Sequence, residues 1–129
     1  MADNIVLLDT SILIDYYRKT DKNNALWISL IRQGYQFAIS AITKYEIYSG
    51  ATKSQLSFWG SILETIPVIA LDENCVDTAV NINAELKKER KQIAIADLFI
   101  ASTALTHKLP IATLNKKHFE RINELHIIE

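Results

Sequence analysis

The sequence has few of the residues that crosslink or interrupt a protein chain. Its 129 residues include one cysteine, two prolines and three glycines. The lone Cys75 has no second cysteine with which to form an intramolecular disulfide, and the Met1-Ala-Asp-Asn start lacks the basic and then apolar order of a secretory signal. We therefore expect a reducing, cytoplasmic location. The scarcity of proline and glycine, together with 49% hydrophobic residues, argues against a disordered or low-complexity chain.

Long apolar runs and a strong excess of one charge are also missing. No run approaches the roughly 20 apolar residues that span a bilayer, so we expect no membrane insertion. The formal net charge of -1 is not the overall basicity of many nucleic-acid-binding proteins, so any site for a polyanion must be local. The length fits one domain, predicted to cover residues 1–129, which would bury about two thirds of its unfolded surface.

Apolar runs and segments with helical spacing alternate along the chain. Ser40 is predicted to be the N-cap of the helix that contains Glu46 and ends at Gly50. The alternation predicts a three-layer α/β/α fold with a central, mainly parallel five-stranded sheet, and ligands bind such sheets beyond the carboxyl ends of the strands. Strands are predicted at residues 5–8, 37–39, 67–71, 111–113 and 126–128, and the other helices at 11–18, 24–33, 52–65, 73–88 and 97–107.

Three carboxylates, Asp9, Glu46 and Asp97, lie in or beside strongly apolar segments. Burying an isolated ionised carboxylate is costly, and three that converge would suit a hard divalent metal. Each also has a simpler interpretation. Asp9 and Asp97 are possible helix N-caps, although Ile100 gives Asp97 no capping box, and Glu46 is a possible solvent-facing helix residue. Convergence in one pocket explains all three acids together.

Four segments resemble the signature segments of PIN-domain ribonucleases, in particular the VapC-type toxins. The resemblance covers essentially the whole chain and implies cleavage of RNA with Mg²⁺ or Mn²⁺, a cognate antitoxin and a homodimer. It matches Asp9, Glu46 and Asp97 to the catalytic, metal-binding positions, and Ser11 and Thr113 to supporting polar positions. The segments are Asp9-Thr-Ser11, Thr43-Lys-Tyr-Glu46, Ala96-Asp-Leu-Phe-Ile-Ala101 and Thr113-Leu-Asn-Lys-Lys-His-Phe119.

The fourth segment departs from the family. Many members have a further Asp where this chain has Asn115, which can offer a carbonyl oxygen or hold a metal-bound water but adds no charge. With three formal negatives, we expect one firmly bound ion and a second recruited only with the RNA phosphate. His118 is interpreted either as a packing residue beside Phe119 or as a phosphate contact or proton shuttle.

Two basic clusters flank these segments. Each could be a solvated helix face, or the two could form two banks of an RNA groove, in which phosphate contacts make binding sensitive to salt. The clusters are Lys87, Lys88, Arg90 and Lys91, and Lys116, Lys117 and Arg121.

Aromatic residues are concentrated in the first half of the chain. Those at the surface would suit the homodimer and the antitoxin, whose tail we expect on the helices within residues 21–33 and 44–65, with an antitoxin Arg or Lys in the acidic pocket. The favoured function is a metal-dependent endoribonuclease toxin. The alternatives are a catalytically silent RNA- or protein-binding module, and a receiver or phosphatase domain, which fits poorly because Asp9-Thr10-Ser11 has no second acid.

Overall fold

Four short parallel strands form the central sheet. The structure, a computed structural model, describes residues 4–128. The strands are β1 (Ile5–Leu8), β2 (Gln36–Ser40), β3 (Val68–Ile69) and β4 (Ile111–Ala112), in the order β3-β2-β1-β4.

Helices occupy the connections between the strands. The second predicted helix, 24–33, is observed as a shorter helix over Leu26–Arg32, and a 3-10 turn over Lys22–Asn24 precedes it. Within the described residues, the helices are α1 (Thr10–Arg18), α2 (Leu26–Arg32), α3 (Ala41–Gly50), α4 (Lys53–Leu63), α5 (Glu73–Lys88), α6 (Ile95–Thr106) and α7 (Lys116–Phe119).

The two faces of the sheet are covered by different helices. Successive residues of a strand point to opposite faces, and β1 shows this directly: Val6 and Leu8 belong to one buried cluster, and Leu7 belongs to the other. The first cluster contains residues of α1 to α4, and the second contains residues of α5 to α7. Burial of apolar surface on both faces therefore produces the predicted three-layer α/β/α fold.

The predicted fifth strand is only a bridge. Ile127 forms an isolated parallel bridge with Ile111, supported by hydrogen bonds from Ile111 N to His126 O (2.9 Å) and from Ile128 N to Ile111 O (2.8 Å). Its partner β4 is two residues long, so it offers few backbone groups for a longer ladder. The parallel fold is confirmed, but with four strands in the described residues instead of five.

Helix starts decide two of the capping predictions. Ser40 is the N-cap of α3, as predicted, because its Oγ accepts a hydrogen bond from Thr43 N at 3.0 Å. Asp97 is not an N-cap, because α6 begins at Ile95 and its N-cap position is Ala94. Asp97 instead lies in the first turn of α6, where its side chain is available for other contacts.

The strand order places a crevice beside β1. From β1 the chain adds β2 and β3 on one side, and then places β4 on the other side of β1. In open α/β sheets, this reversal is the usual ligand site. Asp9 and Thr113 follow β1 and β4 directly, so both lie at the reversal. Across residues 4–128, no helix is both long and apolar enough to cross a membrane.

Candidate active site

An open cavity of about 560 Å³ lies at this reversal and contains all three predicted acids. Convergence of the acids in one pocket is therefore observed in the structure. The lining residues are Asp9, Thr10, Ser11, Ile14, Asp15, Arg18, Lys19, Glu46, Asp97, Leu114 and Asn115.

Asp9 is 2% exposed, and hydroxyl groups hold one of its carboxylate oxygens. Its Oδ2 accepts hydrogen bonds from Ser11 Oγ and Thr113 Oγ1, each at 2.7 Å. Its side chain makes no capping bond to α1, so the N-cap interpretation is wrong for the carboxylate. Within residues 4–128, Oδ1 accepts no hydrogen bond and is the oxygen left for a ligand.

Glu46 is half-buried and is tied to the start of α1. Thr10 Oγ1 donates a hydrogen bond to Glu46 Oε1 at 2.6 Å and lies 3.0 Å from Thr43 Oγ1. Thr43 and Glu46 are three residues apart on α3 and therefore lie on the same helix face. The N-cap at Ser40 thus orients α3 so that this face meets the end of β1.

Asp97 is paired with His118. The distance from His118 Nδ1 to Asp97 Oδ2 is 3.1 Å. Partial burial raises the pKa of the Asp97 carboxyl, and the nearby Asp9 charge raises it further, while His118 acts in the opposite direction. His118 therefore contacts a site carboxylate directly, so it is more than a packing residue beside Phe119.

The fourth segment is joined to the first by backbone donors. Leu114 N donates to Ser11 Oγ at 3.0 Å, and Asn115 N donates to Thr113 Oγ1 at 2.9 Å. Asn115 lines the cavity beside Asp9. The two supporting hydroxyls and the backbone N–H groups of Leu114 and Asn115 therefore form one network around the first acid.

The chemistry of the cavity suits a hard cation. Its carboxylates and the Asn115 side chain carry oxygen atoms of the kind that Mg²⁺ prefers, and Mg²⁺ is usually held by one or two carboxylates while it retains several waters. No group of three or more His, Cys, Asp or Glu side chains within residues 4–128 is arranged as a ready-made metal site. The residues therefore fit the ion by the type of ligand atom. In this structure Asp9, Glu46 and Asp97 each form hydrogen bonds to neighbouring side chains.

Sequence reasoning assigned a role to Ser11 of α1 but to none of the other residues around this helix that line the cavity. Thr10, Ile14 and Arg18 recur at intervals of four and line it from one helix face, and Asp15 and Lys19 lie beside them. The four-residue spacing after Asp9 was the signal that could have found them.

The seven predicted RNA-binding residues lie outside this cavity. Lys88 and Lys91 form exposed ion pairs with Glu85 (3.3 Å) and Glu89 (3.6 Å). Arg121 Nη1 donates to Gln92 O at 2.9 Å, which brings the two basic clusters together. Lys116 and Lys117 line a neighbouring depression of about 310 Å³, which shares Leu114 and Asn115 with the acidic cavity.

Comparison with known proteins identifies the family. The PIN domain profile matches residues 6–125. The chain belongs to the PIN domain family. This PIN domain is 37% identical to Ribonuclease VapC1 of Methanocaldococcus jannaschii over 120 residues, which are 92% of this chain and 82% of that protein. The resemblance drawn from the four segments is confirmed.

Solved structures agree with this PIN fold. VapBC2 from Rickettsia felis, bound to a DNA fragment from its promoter, matches with a TM-score of 0.81 and 26% identity over 96% of this chain and 97% of that chain. A toxin-antitoxin complex from Klebsiella pneumoniae matches with a TM-score of 0.75 and 28% identity over 96% of both chains. Relatives that are ribonucleases and toxin-antitoxin complexes favour the nuclease over the catalytically silent module.

Proposed function

We propose that this PIN domain is a VapC-type endoribonuclease, the toxin of a type II toxin-antitoxin pair, and that it hydrolyses RNA with Mg²⁺ or Mn²⁺ held by Asp9, Glu46 and Asp97. The observation that carries the proposal is the single cavity at the strand reversal, which all three acids and Asn115 line. The ribonuclease and toxin-antitoxin relatives support the reaction and the partner.

Each site residue has a distinct part in this reaction. Ser11 and Thr113 orient Asp9 by holding Oδ2, so that Oδ1 is free to face the ion. Thr10 orients Glu46 in the same way. When bound, the ion would acidify an attacking water and screen the charge that develops on the phosphate.

Asn115 sets the expected number of ions. It supplies an amide oxygen without charge, so Asp9, Glu46 and Asp97 leave the proposed ligand set with three formal negatives. From this charge we expect one firmly bound ion, and a second ion only when the RNA phosphate is bound.

The two basic clusters are proposed to form one positive surface beside the cavity. Arg121 joins them through Gln92 O, and Lys116 and Lys117 continue directly from Asn115. Neutralising both clusters should weaken RNA binding and flatten its salt dependence. An unchanged affinity and salt slope would remove these residues from the RNA surface.

The antitoxin and a second copy of the chain are the proposed protein partners. Tyr45 is 69% exposed on α3, next to Glu46, which suits a contact surface near the acidic cavity. If an antitoxin cation occupies the cavity, a chelator and Asp9→Asn should each change antitoxin affinity, and no effect from either would count against that mode of inhibition.

A cleavage assay tests the function. Purified protein is incubated with mixed RNAs and Mg²⁺ or Mn²⁺, with EDTA, and as the Asp97→Asn variant. We expect cleavage only by the wild type with metal. Asp77→Asn, which changes an exposed carboxylate on α5 outside the cavity, is the matched control and should cleave normally. Binding without any cleavage would favour the silent module.

A further inference from the structure

Arg18 is an unpaired cation on the rim of the acidic cavity. It is the last residue of α1 and is exposed. Within residues 4–128 it forms no hydrogen bond and no ion pair, although four carboxylates line the same cavity. A guanidinium in such a position has all its donors available for a ligand.

The other cation of the cavity is already engaged. Lys19 Nζ lies 3.5 Å from Asp15 Oδ1, and Asp15 Oδ2 accepts a hydrogen bond from Leu26 N at 3.2 Å. Asp15 therefore joins α1 to α2, and Lys19 is paired with Asp15. Arg18 is left as the free positive charge among the lining residues of the cavity.

The end of α1 is held in place by Lys22. Lys22 Nζ donates to Tyr16 O and Tyr17 O at 2.7 Å each and to Lys19 O at 3.0 Å. It also lies 5.1 Å from the centre of the Tyr16 ring. Arg18 therefore extends from a fixed backbone, which reduces the ordering cost when a ligand binds.

Arg18 lies beside the acids and is not paired with them. It and Glu46 both border a smaller cleft of about 160 Å³ as well as the acidic cavity. A phosphodiester at the acids is repelled by their charge, and none of the seven residues in the two basic clusters lines the cavity. A guanidinium matches phosphate oxygens with two parallel hydrogen bonds.

From this arrangement we propose that Arg18 binds the RNA phosphate next to the scissile one and so positions the strand over the acidic cavity. This inference rests on the proposed ribonuclease function. It makes Arg18 a substrate-binding residue at the end of α1, on the rim of the cavity.

The test measures RNA binding separately from cleavage. In an Asp97→Asn background with Mg²⁺, a labelled single-stranded RNA pool of random sequence is titrated at about 50 mM and about 200 mM salt. Arg18→Gln should weaken binding about tenfold at low salt and reduce the salt slope by about 0.7, as expected for one phosphate contact on a single strand. Arg18→Lys should keep the slope and lose part of the affinity, because it lacks the planar fork.

Arg32→Gln is the matched control. Arg32 is an exposed arginine on α2 that donates to Asn23 Oδ1 at 3.0 Å and lies outside the cavity. It makes the same change in net charge and should alter neither affinity nor slope. Equal weakening by Arg18→Gln and Arg32→Gln would overturn the proposal, as would binding by the Arg18→Gln variant that is as tight as that of its Asp97→Asn parent.

Kinetics and stability complete the test. With Asp97 intact, Arg18→Gln should raise KM with little change in kcat, and its Tm should match that of Arg32→Gln. If Arg18→Lys lowers the Tm but leaves RNA affinity unchanged, Arg18 only supports α1, and the proposal is overturned. If the wild type cleaves RNA and Arg18→Gln cleaves it equally well, this inference alone fails. If the wild type does not cleave RNA, the proposed function fails, and with it the substrate assigned to Arg18.

Discussion

Asp9 is held by hydroxyl groups from two segments that are far apart in the chain. Ser11 donates from α1, and Thr113 donates from the residue after β4. The Thr113 hydroxyl also accepts from Asn115 N, so it links the first and fourth segments. This single hydroxyl therefore holds both the Asp9 carboxylate and the backbone at Asn115.

Thr113→Val should destabilise the fold by about 2 kcal/mol, because a hydrogen bond to a charged group is lost and the Asn115 N–H is left without its acceptor. Thr113→Ser retains the hydroxyl and should cost only about 0.8 kcal/mol for the lost methyl. Urea unfolding in EDTA measures both. Equal losses for the two variants would show that the hydroxyl contributes nothing.

Asp97 carries an energetic cost when ionised. Its folded-state pKa is raised, by burial first and by Asp9 second, so the folded protein binds this proton more tightly than the unfolded chain does. The resulting penalty is present above the folded pKa and is relieved as the pH falls through it.

Asp97→Asn should therefore raise Tm at neutral pH in EDTA while it abolishes cleavage. The gain in Tm should shrink as the pH is lowered, because the wild type then takes up the same proton. Thermal unfolding at several pH values measures this. A Tm that is lower than wild type at neutral pH would mean that the His118 contact outweighs the burial of the charge.

At the scale of elements, helix ends and turns place the site residues. Ser40 begins α3 so that Glu46 faces the end of β1, and Lys22 secures the end of α1 where Arg18 lies. The turn between α2 and β2 depends on Gly34, which has a φ of +91°. A side chain rarely adopts this conformation, so the turn requires glycine.

Two glycine substitutions should change stability in opposite directions. Gly34→Ala should destabilise by about 1 kcal/mol because of its positive φ. Gly60→Ala, inside α4, meets no atom within 4 Å and should stabilise by about 0.5–1 kcal/mol. Denaturant unfolding of each variant gives the sign. Destabilisation by Gly60→Ala would contradict the open space beside that helix.

At the scale of the whole molecule, the fold concentrates negative charge at one edge of a nearly neutral chain. The formal net charge is -1, yet four carboxylates line the cavity. Like charges gathered in one place oppose folding unless a cation or a proton neutralises them. The proposed ion would therefore affect global stability as well as catalysis.

Added Mg²⁺ or Mn²⁺ should raise the Tm of the wild type relative to EDTA, with about 1.4 kcal/mol of stabilisation at a tenfold excess over Kd. Asp97→Asn should lose most of this shift, and Asp77→Asn should keep it. Differential scanning fluorimetry measures all three proteins. Equal shifts in all three would place the ion elsewhere than in the cavity.

The sequence by itself determined the elements, the acids and the family. The alternation of apolar runs with helical spacing is a local property, so it predicted most strands and helices, the N-cap at Ser40 and the parallel sheet. The four segments likewise predicted the PIN domain before any contact between them was known.

Only the tertiary structure decided which distant residues meet. Thr113 reaches Asp9 across 104 positions, and His118 reaches Asp97 across 21, because β4 lies beside β1 and α7 follows it. The same packing turned residues 126–128 into a bridge and brought Arg18 to the cavity. Strand order and side-chain direction depend on how helices cover both faces of the sheet, and this long-range packing leaves little trace in local sequence patterns.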